Sequence, residues 1–277
     1  MTEAFADVNG IKICYSSQGE GYPTFLLHGF GSKKEGFMAQ IPELSKYFRV
    51  ISIDLRGSGK SSRPNYHYTM DMFVDDIKGL MDYLSIKKVN LIAHSFGGVI
   101  AQNLVVKYPN SVNKLIIINS LTKIPDTYDP EPYIQMRIKG LELRKKDPAK
   151  AFWDSTQYGF YPKFRQKMLD NPKEKFYGLW SAEDLIDYYN ANPPTPQDIR
   201  NISYSFKTHK VFNKLHEITQ ETLLLAASHD VLVPKERMIE IHDLLPNSTL
   251  KVIEKAGHES HKQCAPEINQ IIIEFLK

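Results

Sequence analysis

At 277 residues, with 42% hydrophobic and 24% charged residues, the chain is long enough for one large α/β domain around a buried core and too short for a second full domain. The 35 basic and 32 acidic residues leave a formal charge of +3, which supplies no strong field for gathering nucleic acid or an anionic membrane. Lysine pairs such as Lys33-Lys34, Lys87-Lys88 and Lys145-Lys146 read as solvated surface.

The amino-terminal residues 1–7 have neither the basic leader nor the apolar block of a secretory signal, and no apolar run approaches membrane-spanning length. Cys14 and Cys264 lie far apart without metal-ligand spacing, the pattern of two free thiols in a reducing compartment. The expectation is a soluble, cytoplasmic protein. No internal repeat, heptad run or low-complexity segment is present, and nothing in the pattern sets an oligomeric state.

After an alternating stretch at the amino terminus, residues 11–15 read as a first strand, 24–27 as the next hydrogen-bonded strand and 50–53 as a third. Met72, Val74, Ile77, Leu80, Met81 and Leu84 recur at helical spacing and predict a helix over 71–84. Residues 89–93 form a continuous apolar run, as a buried central strand does, and 97–107 its following helix. Further strands are expected at 115–118, 222–226 and 249–253, and an amphipathic helix at 265–276 closes the chain. Such alternation of apolar runs with helical segments is the mark of a mostly parallel sheet flanked by helices.

Between the strands at 115–118 and 222–226 about a third of the chain has no strand pattern and is rich in proline, lysine and aromatic residues. A structureless loop of that length inside a compact domain is uncommon, so helices are expected there, at 131–145, 148–158, 162–169, 184–191 and 195–205. The domain organisation that follows is a core over 1–121, a helical insertion over 122–212 and the remainder of the core over 213–277.

The run Leu91-Ile92-Ala93-His94-Ser95-Phe96-Gly97-Gly98-Val99-Ile100 carries the sharpest chemical signal. An apolar strand turns through a serine into a glycine pair and an apolar helix. Small residues two before and two after the serine, Ala93 and Gly97, let the chain reverse tightly enough to push the hydroxyl outward. This turn resembles the nucleophile elbow of the α/β-hydrolase superfamily, with Ala93 in place of the first glycine of G-x-S-x-G. The resemblance covers nearly the whole chain. It implies the α/β-hydrolase fold, a mostly parallel central sheet flanked by helices, and it makes the 122–212 insertion a helical lid.

The same resemblance assigns further residues. His28-Gly29-Phe30-Gly31, directly after the strand at 24–27, is similar to the superfamily's oxyanion loop, which implies backbone donors at Phe30 and at Phe96, the residue after the nucleophile. His28 and Gly29 would hold the loop's shape. Asp54-Leu55-Arg56-Gly57-Ser58-Gly59-Lys60-Ser61 resembles another signature of the family; it lacks the G-x-x-x-x-G-K-[ST] spacing of a phosphate loop and reads as a structural turn in which Asp54 and Arg56 tie loops together.

The superfamily's chain order of nucleophile, acid and histidine points to Asp230 and His258 as partners of Ser95. The alternative position for the acid, after the strand following the elbow, reads Asn119-Ser120 and offers no carboxylate before Asp126. His261 is a second choice for the base, and His94 is expected to pack beneath the elbow. Phe37, Trp153 and Trp180 are candidate substrate-binding residues, although aromatic residues at helical spacing also build a lid's own core.

These assignments imply a serine esterase acting on a small-molecule carboxylic ester of a small or medium apolar acyl group, with no metal and no organic cofactor. Thioester, lactone or perhydrolase chemistry would use the same residues, and a ligand receptor of the same fold is the reading of a different class. A serine nucleophile argues against dehalogenase and epoxide hydrolase activity, for which the fold uses an aspartate. The loop Ser32-Lys33-Lys34-Glu35 does not resemble that of the carbon–carbon bond hydrolases.

Overall fold

The computed structural model describes residues 2–277. Strands β1 (Thr2–Val8) and β2 (Ile11–Gln18) form a hairpin, followed by β3 (Pro23–Leu27), a short helix α1 (Ile41–Leu44), β4 (Arg49–Ile53) and α2 (Met70–Tyr83). Next come β5 (Val89–His94), α3 (Phe96–Lys107) and β6 (Val112–Ile118). Helices α4 (Glu131–Lys146), α5 (Pro148–Gly159), α6 (Pro162–Asp170), α7 (Ala182–Asn190) and α8 (Pro196–Tyr204) intervene before β7 (Glu221–Ala227). The chain closes with α9 (Lys235–Leu244), β8 (Ser248–Ile253), the one-turn α10 (Ser260–Gln263) and α11 (Ala265–Leu276).

The eight strands form one sheet in the order β1-β2-β4-β3-β5-β6-β7-β8. From β4 to β8 the pairing is parallel, while β1 and β2 add an antiparallel edge. The strand expected at 24–27 is therefore not bonded to the one before it, because β4 lies between β2 and β3. The β1 strand is an addition to the expected set. Its signal was the Asn9-Gly10 pair between two alternating runs: both residues have positive φ, 50° and 76°, as a two-residue hairpin turn that matches the strands' twist requires.

Side-chain alternation divides the core into two layers. Phe25, Leu27, Leu91 and Ala93 face α2 and α3, packing with Phe73, Ile77, Leu80, Val99 and Leu104. Leu26, Ile92, Ile116 and Leu223 face the other way, onto Leu44, Ile268 and Ile272 of α1 and α11. Every residue of β5 is buried, as expected of the middle of a parallel sheet covered on both sides. Each fully buried aliphatic side chain there contributes about 1.5–3 kcal/mol.

The helices of the 119–220 stretch begin where capping chemistry places them. Ser181 with Asp184, and Thr195 with Asp198, form reciprocal capping boxes, so α7 starts two residues before the expected 184 and α8 starts at Pro196. Among the described residues the stretch contains no strand beyond an isolated bridge between Phe176 and Trp180. Its two ends are tied together by His209, whose Nε2 donates to the Thr122 carbonyl at 2.6 Å while its Nδ1 accepts from Asn103 of α3 at 2.7 Å. The turn after β4 is structural, as expected. Buried Asp54 accepts from the Lys34 and Lys60 amides at 2.7 and 2.9 Å, and Arg56 forks onto Asp76 at 2.6 and 2.7 Å.

Two predictions follow from this packing. Burial pushes His209 down to about 4 from an ordinary value near 6.5, so its contribution to stability is complete above 6.5 and is lost as pH falls towards 4. Thermal melting of the parent and of His209→Gln should accordingly differ most at pH 7–8 and converge on acidification; a gap independent of pH contradicts it. Second, a Cβ at Gly97 would lie 2.2 Å from the Leu27 carbonyl oxygen, so Gly97→Ala should lower stability by about 3 kcal/mol in denaturant titration. An unchanged midpoint would show that α3 can retreat from β3.

Candidate active site

The loops that leave the carboxyl ends of β3, β5, β7 and β8 meet at one end of the sheet, where open parallel sheets place their ligands. At the end of β5, Ser95 is held at φ 53° and ψ −116°, a conformation an L-residue adopts only under constraint. Its amide donates to the Ile118 carbonyl at 2.9 Å, and its own carbonyl accepts from the Ser120 hydroxyl at 2.8 Å. The following helix begins immediately, with Gly97 pressed against the backbone of Leu27 and His28. This approach sets the Phe96 amide, at the positive end of α3, beside the 28–31 turn.

Ser95 Oγ lies 2.9 Å from Nε2 of His258, and His258 Nδ1 lies 2.7 Å from Oδ2 of Asp230. The other Asp230 oxygen accepts from the amides of Leu232 and Val233 at 2.9 and 2.8 Å, which fixes the carboxylate plane. His258 and Asp230 are both buried, whereas Ser95 is partly exposed. In the 28–31 turn, His28 donates from Nδ1 to the Gly29 carbonyl at 2.8 Å and accepts at Nε2 from the Leu55 amide at 3.2 Å. Burial holds this imidazole below its usual pKa, consistent with a neutral strut. Among the described residues neither the Phe30 nor the Phe96 amide is taken up by a protein acceptor.

A buried polar layer, mostly unforeseen from the sequence, supports His258 from behind. Its carbonyl accepts from His94 Nε2 at 3.0 Å and from Asn119 Nδ2 at 2.8 Å. Asn119 also reaches Ser260 Oγ at 2.8 Å and accepts from the Ala227 amide at 2.9 Å, joining the loops after β6, β7 and β8. The position that lacked a carboxylate thus carries an amide with a positioning role; its only sequence signal was an asparagine ending an apolar strand. His94 packs beneath the turn as expected, and burial, reinforced by His258, pushes it down to about 3.

His261 is not brought to the serine. Its ring lies tilted against those of His94 and Phe37, and its Nε2 faces Lys262 and Glu259. Glu259 would be pushed up by burial alone, but Lys262 and His261 bring its carboxyl well below the usual range.

The aromatic candidates separate by burial. Phe37 is buried in the α1–α11 layer, and Trp180 has no exposed surface, lying among Phe160, Phe164 and Phe176. Neither has surface open to solvent, and the contacts of each are those of a closed core rather than an opening. Trp153 is partly buried against the same α5–α7 cluster. The aromatic groups that do gather at the 28–31 turn are Phe96, Tyr133 and Phe206, each against Phe30, with Tyr128 edge-on to Phe206.

Helices α4 and α5 reach the same end of the sheet. Tyr133 and Arg137 of α4 cover Phe30, and the Gly159 carbonyl at the end of α5 accepts from the Glu259 amide at 2.8 Å. Among the described residues no group of three His, Cys, Asp or Glu side chains is arranged to hold a metal ion, and no helix is long and apolar enough to cross a membrane.

Residues 22–263 match the family model described as the alpha/beta hydrolase fold. Epoxide hydrolase 4 of Mus musculus is 28% identical over 97% of this chain and 77% of its own length. The 2-hydroxy-6-oxo-2,4-heptadienoate hydrolase of Pseudomonas putida is 25% identical over 90% of this chain and 87% of its own. A thermophilic esterase from Thermogutta terrifontis superimposes with a TM-score of 0.81 at 23% identity, covering 100% of this chain and 98% of the other. Relatives of such different chemistry share the scaffold and hydrolysis in common, and with the matched model spanning most of its length this chain belongs to the α/β-hydrolase family.

Proposed function

We propose that the protein is a serine hydrolase that cleaves a carboxylic ester of a small or medium apolar acyl group through an acyl-enzyme. The observation that carries this reading is the continuous relay of Ser95 Oγ, His258 and Asp230, with spacings of 2.9 and 2.7 Å. In it His258 Nδ1–H donates to Asp230, leaving Nε2 free to accept the serine proton as Oγ attacks the ester carbonyl. Asp230, fixed by two amides, stabilises the imidazolium that forms.

The Phe30 and Phe96 amides receive the oxyanion, one from the turn after β3 and the other from the first residue of α3. His258 then returns its proton to the leaving alkoxide. A water activated by the same imidazole attacks the acyl carbonyl, and collapse of the second tetrahedral intermediate restores Ser95 and releases the acid. A hydroxyl nucleophile suits acyl transfer; opening an epoxide on this fold calls for a carboxylate at the elbow.

Residues 122–212 act in this reading as a lid. The contacts of Tyr133 and Arg137 with Phe30, and of Gly159 with the His258 loop, support this reading. The aromatic group around Phe30 provides the apolar wall. A cytoplasmic setting suits the two free thiols, Cys14 and Cys264.

Multiple turnover of a chain-length series of p-nitrophenyl esters is expected, falling by roughly a thousandfold or more in Ser95→Ala. Equal activity in the two proteins, or a single turnover per molecule, would overturn the assignment and favour a ligand receptor. Asp230→Asn should lower kcat by on the order of 10,000-fold while leaving the fold intact, since the wrong imidazole tautomer would be favoured. The backbone strain at Ser95 yields a third expectation: Ser95→Gly should be inactive yet about 1 kcal/mol more stable than Ser95→Ala in urea titration. Equal stabilities would mean that the φ of 53° carries no strain.

A further inference from the structure

Helix α4 buries Ile134 and Leu141, with Ile138 packed beside them, against Ile199 of α8. Arg137 and Arg144 lie seven residues apart, which on a helix returns them to nearly the same face, about 10.5 Å apart along the axis. That face looks onto the oxyanion turn and α7. The Arg137 guanidinium sits 5.0 Å from the Phe30 ring centroid and 5.8 Å from that of Tyr133. It comes so close to the turn that a Cβ on Gly31 would be 2.5 Å from its Nη2. Arg144 donates to the Tyr189 carbonyl at 3.2 Å and lies over the Tyr189 ring.

These two cations lack the carboxylate partners that four of the chain's arginines have. Arg56, Arg63, Arg200 and Arg237 each pair with a carboxylate, and Arg165 is bonded to Thr156 and the Trp153 carbonyl. Among the described residues Arg144 has no carboxylate within 4.0 Å, and Arg137 has neither a carboxylate nor a hydrogen bond. Lys33, on the turn's far side, has its ammonium donors taken up by the backbone carbonyls of Tyr188, at 2.7 Å, and Ala191, and burial holds it below its ordinary pKa. Glu259 is engaged by Lys262.

Partly buried charges are ordinarily paired, and two like charges on one helix face repel each other. Burial, and next the charge of Arg137, hold the Arg144 guanidinium below its ordinary pKa. A planar fork with all its donors free, beside the residue whose amide is to hold the oxyanion, matches a carboxylate and not a second apolar group.

We propose that Arg137, backed by the charge of Arg144, binds a carboxylate on the substrate at a point removed from the scissile carbonyl, so that the ester hydrolysed is an anionic one. The inference rests on the serine-hydrolase reading for the reaction, but the anion site stands on its own geometry. Phe30 is common to both: its amide faces the carbonyl oxygen and its ring carries the guanidinium. The carboxylate takes no part in the chemistry. It fixes the orientation of the ester over Ser95 and raises occupancy of the site.

Two matched pairs of esters test this. The 4-nitrophenyl monoester of hexanedioic acid against 4-nitrophenyl hexanoate varies charge on the acyl side, and 4-acetoxybenzoate against its methyl ester varies it on the alcohol side. In one pair the anionic ester should have a kcat/KM about tenfold or more higher, expressed mainly in KM. Arg137→Gln should abolish that ratio and Arg137→Lys should keep part of it. An absent preference in both pairs, or one that survives Arg137→Gln, overturns the proposal.

If none of the four esters turns over, the serine-hydrolase reading fails, and calorimetric titration of Ser95→Ala with hexanedioate and with 4-acetoxybenzoate decides the anion site separately. Saturable binding that is lost on adding Arg137→Gln supports it, and no saturable binding to Ser95→Ala rules it out.

Discussion

The close approach of α3 to the end of β3 is the constraint on which the rest of the site depends. Gly97 rests against the Leu27 and His28 backbone, with room for a hydrogen and none for a methyl group. Because the helix can start there, Ser95 is forced into its strained φ and the Phe96 amide comes beside the turn that carries Phe30. A wider separation would relieve the serine and pull the two amides apart. Strain of about 1–3 kcal/mol at one residue is tolerated because β5 is packed on both faces and cannot shift to relax it.

A second requirement is that His258, at the end of a loop, be held as firmly as a residue on the sheet. Two side chains achieve this through the backbone. His94 and Asn119 both donate to the His258 carbonyl, and Asn119 links that loop to those after β6 and β7. Buried polar groups of this kind are stabilising only when their partners are present, so the layer binds the loops to one arrangement. His94 serves there as a neutral donor, since burial opposes its protonation.

The helical stretch between β6 and β7 shows how the same residue types serve packing in one place and a surface in another. Trp180, Phe160 and Phe176 enclose each other and give that stretch a core. Phe30, Tyr133 and Phe206 are only partly buried and meet at the 28–31 turn. Composition is nearly the same in the two groups, and the difference is where the helices lie. His209 closes the base of this stretch on Thr122 and Asn103.

Local sequence determined the elements and the elbow. The apolar run ending at Ala93, the small residues around Ser95 and the caps of α7 and α8 act over a few residues and are legible as such. Asp230 and His258 were readable because chain order in this family reflects strand order, and each follows a strand. The neighbours in the sheet were less so: β4 lies between β2 and β3, and only pairing across the sheet decides that. Asn119, the burial of Phe37 and Trp180, and the unpaired state of Arg137 depend on groups brought from distant parts of the chain. Burial and electrostatic pairing are properties of that juxtaposition, which is why the tertiary structure alone decided them.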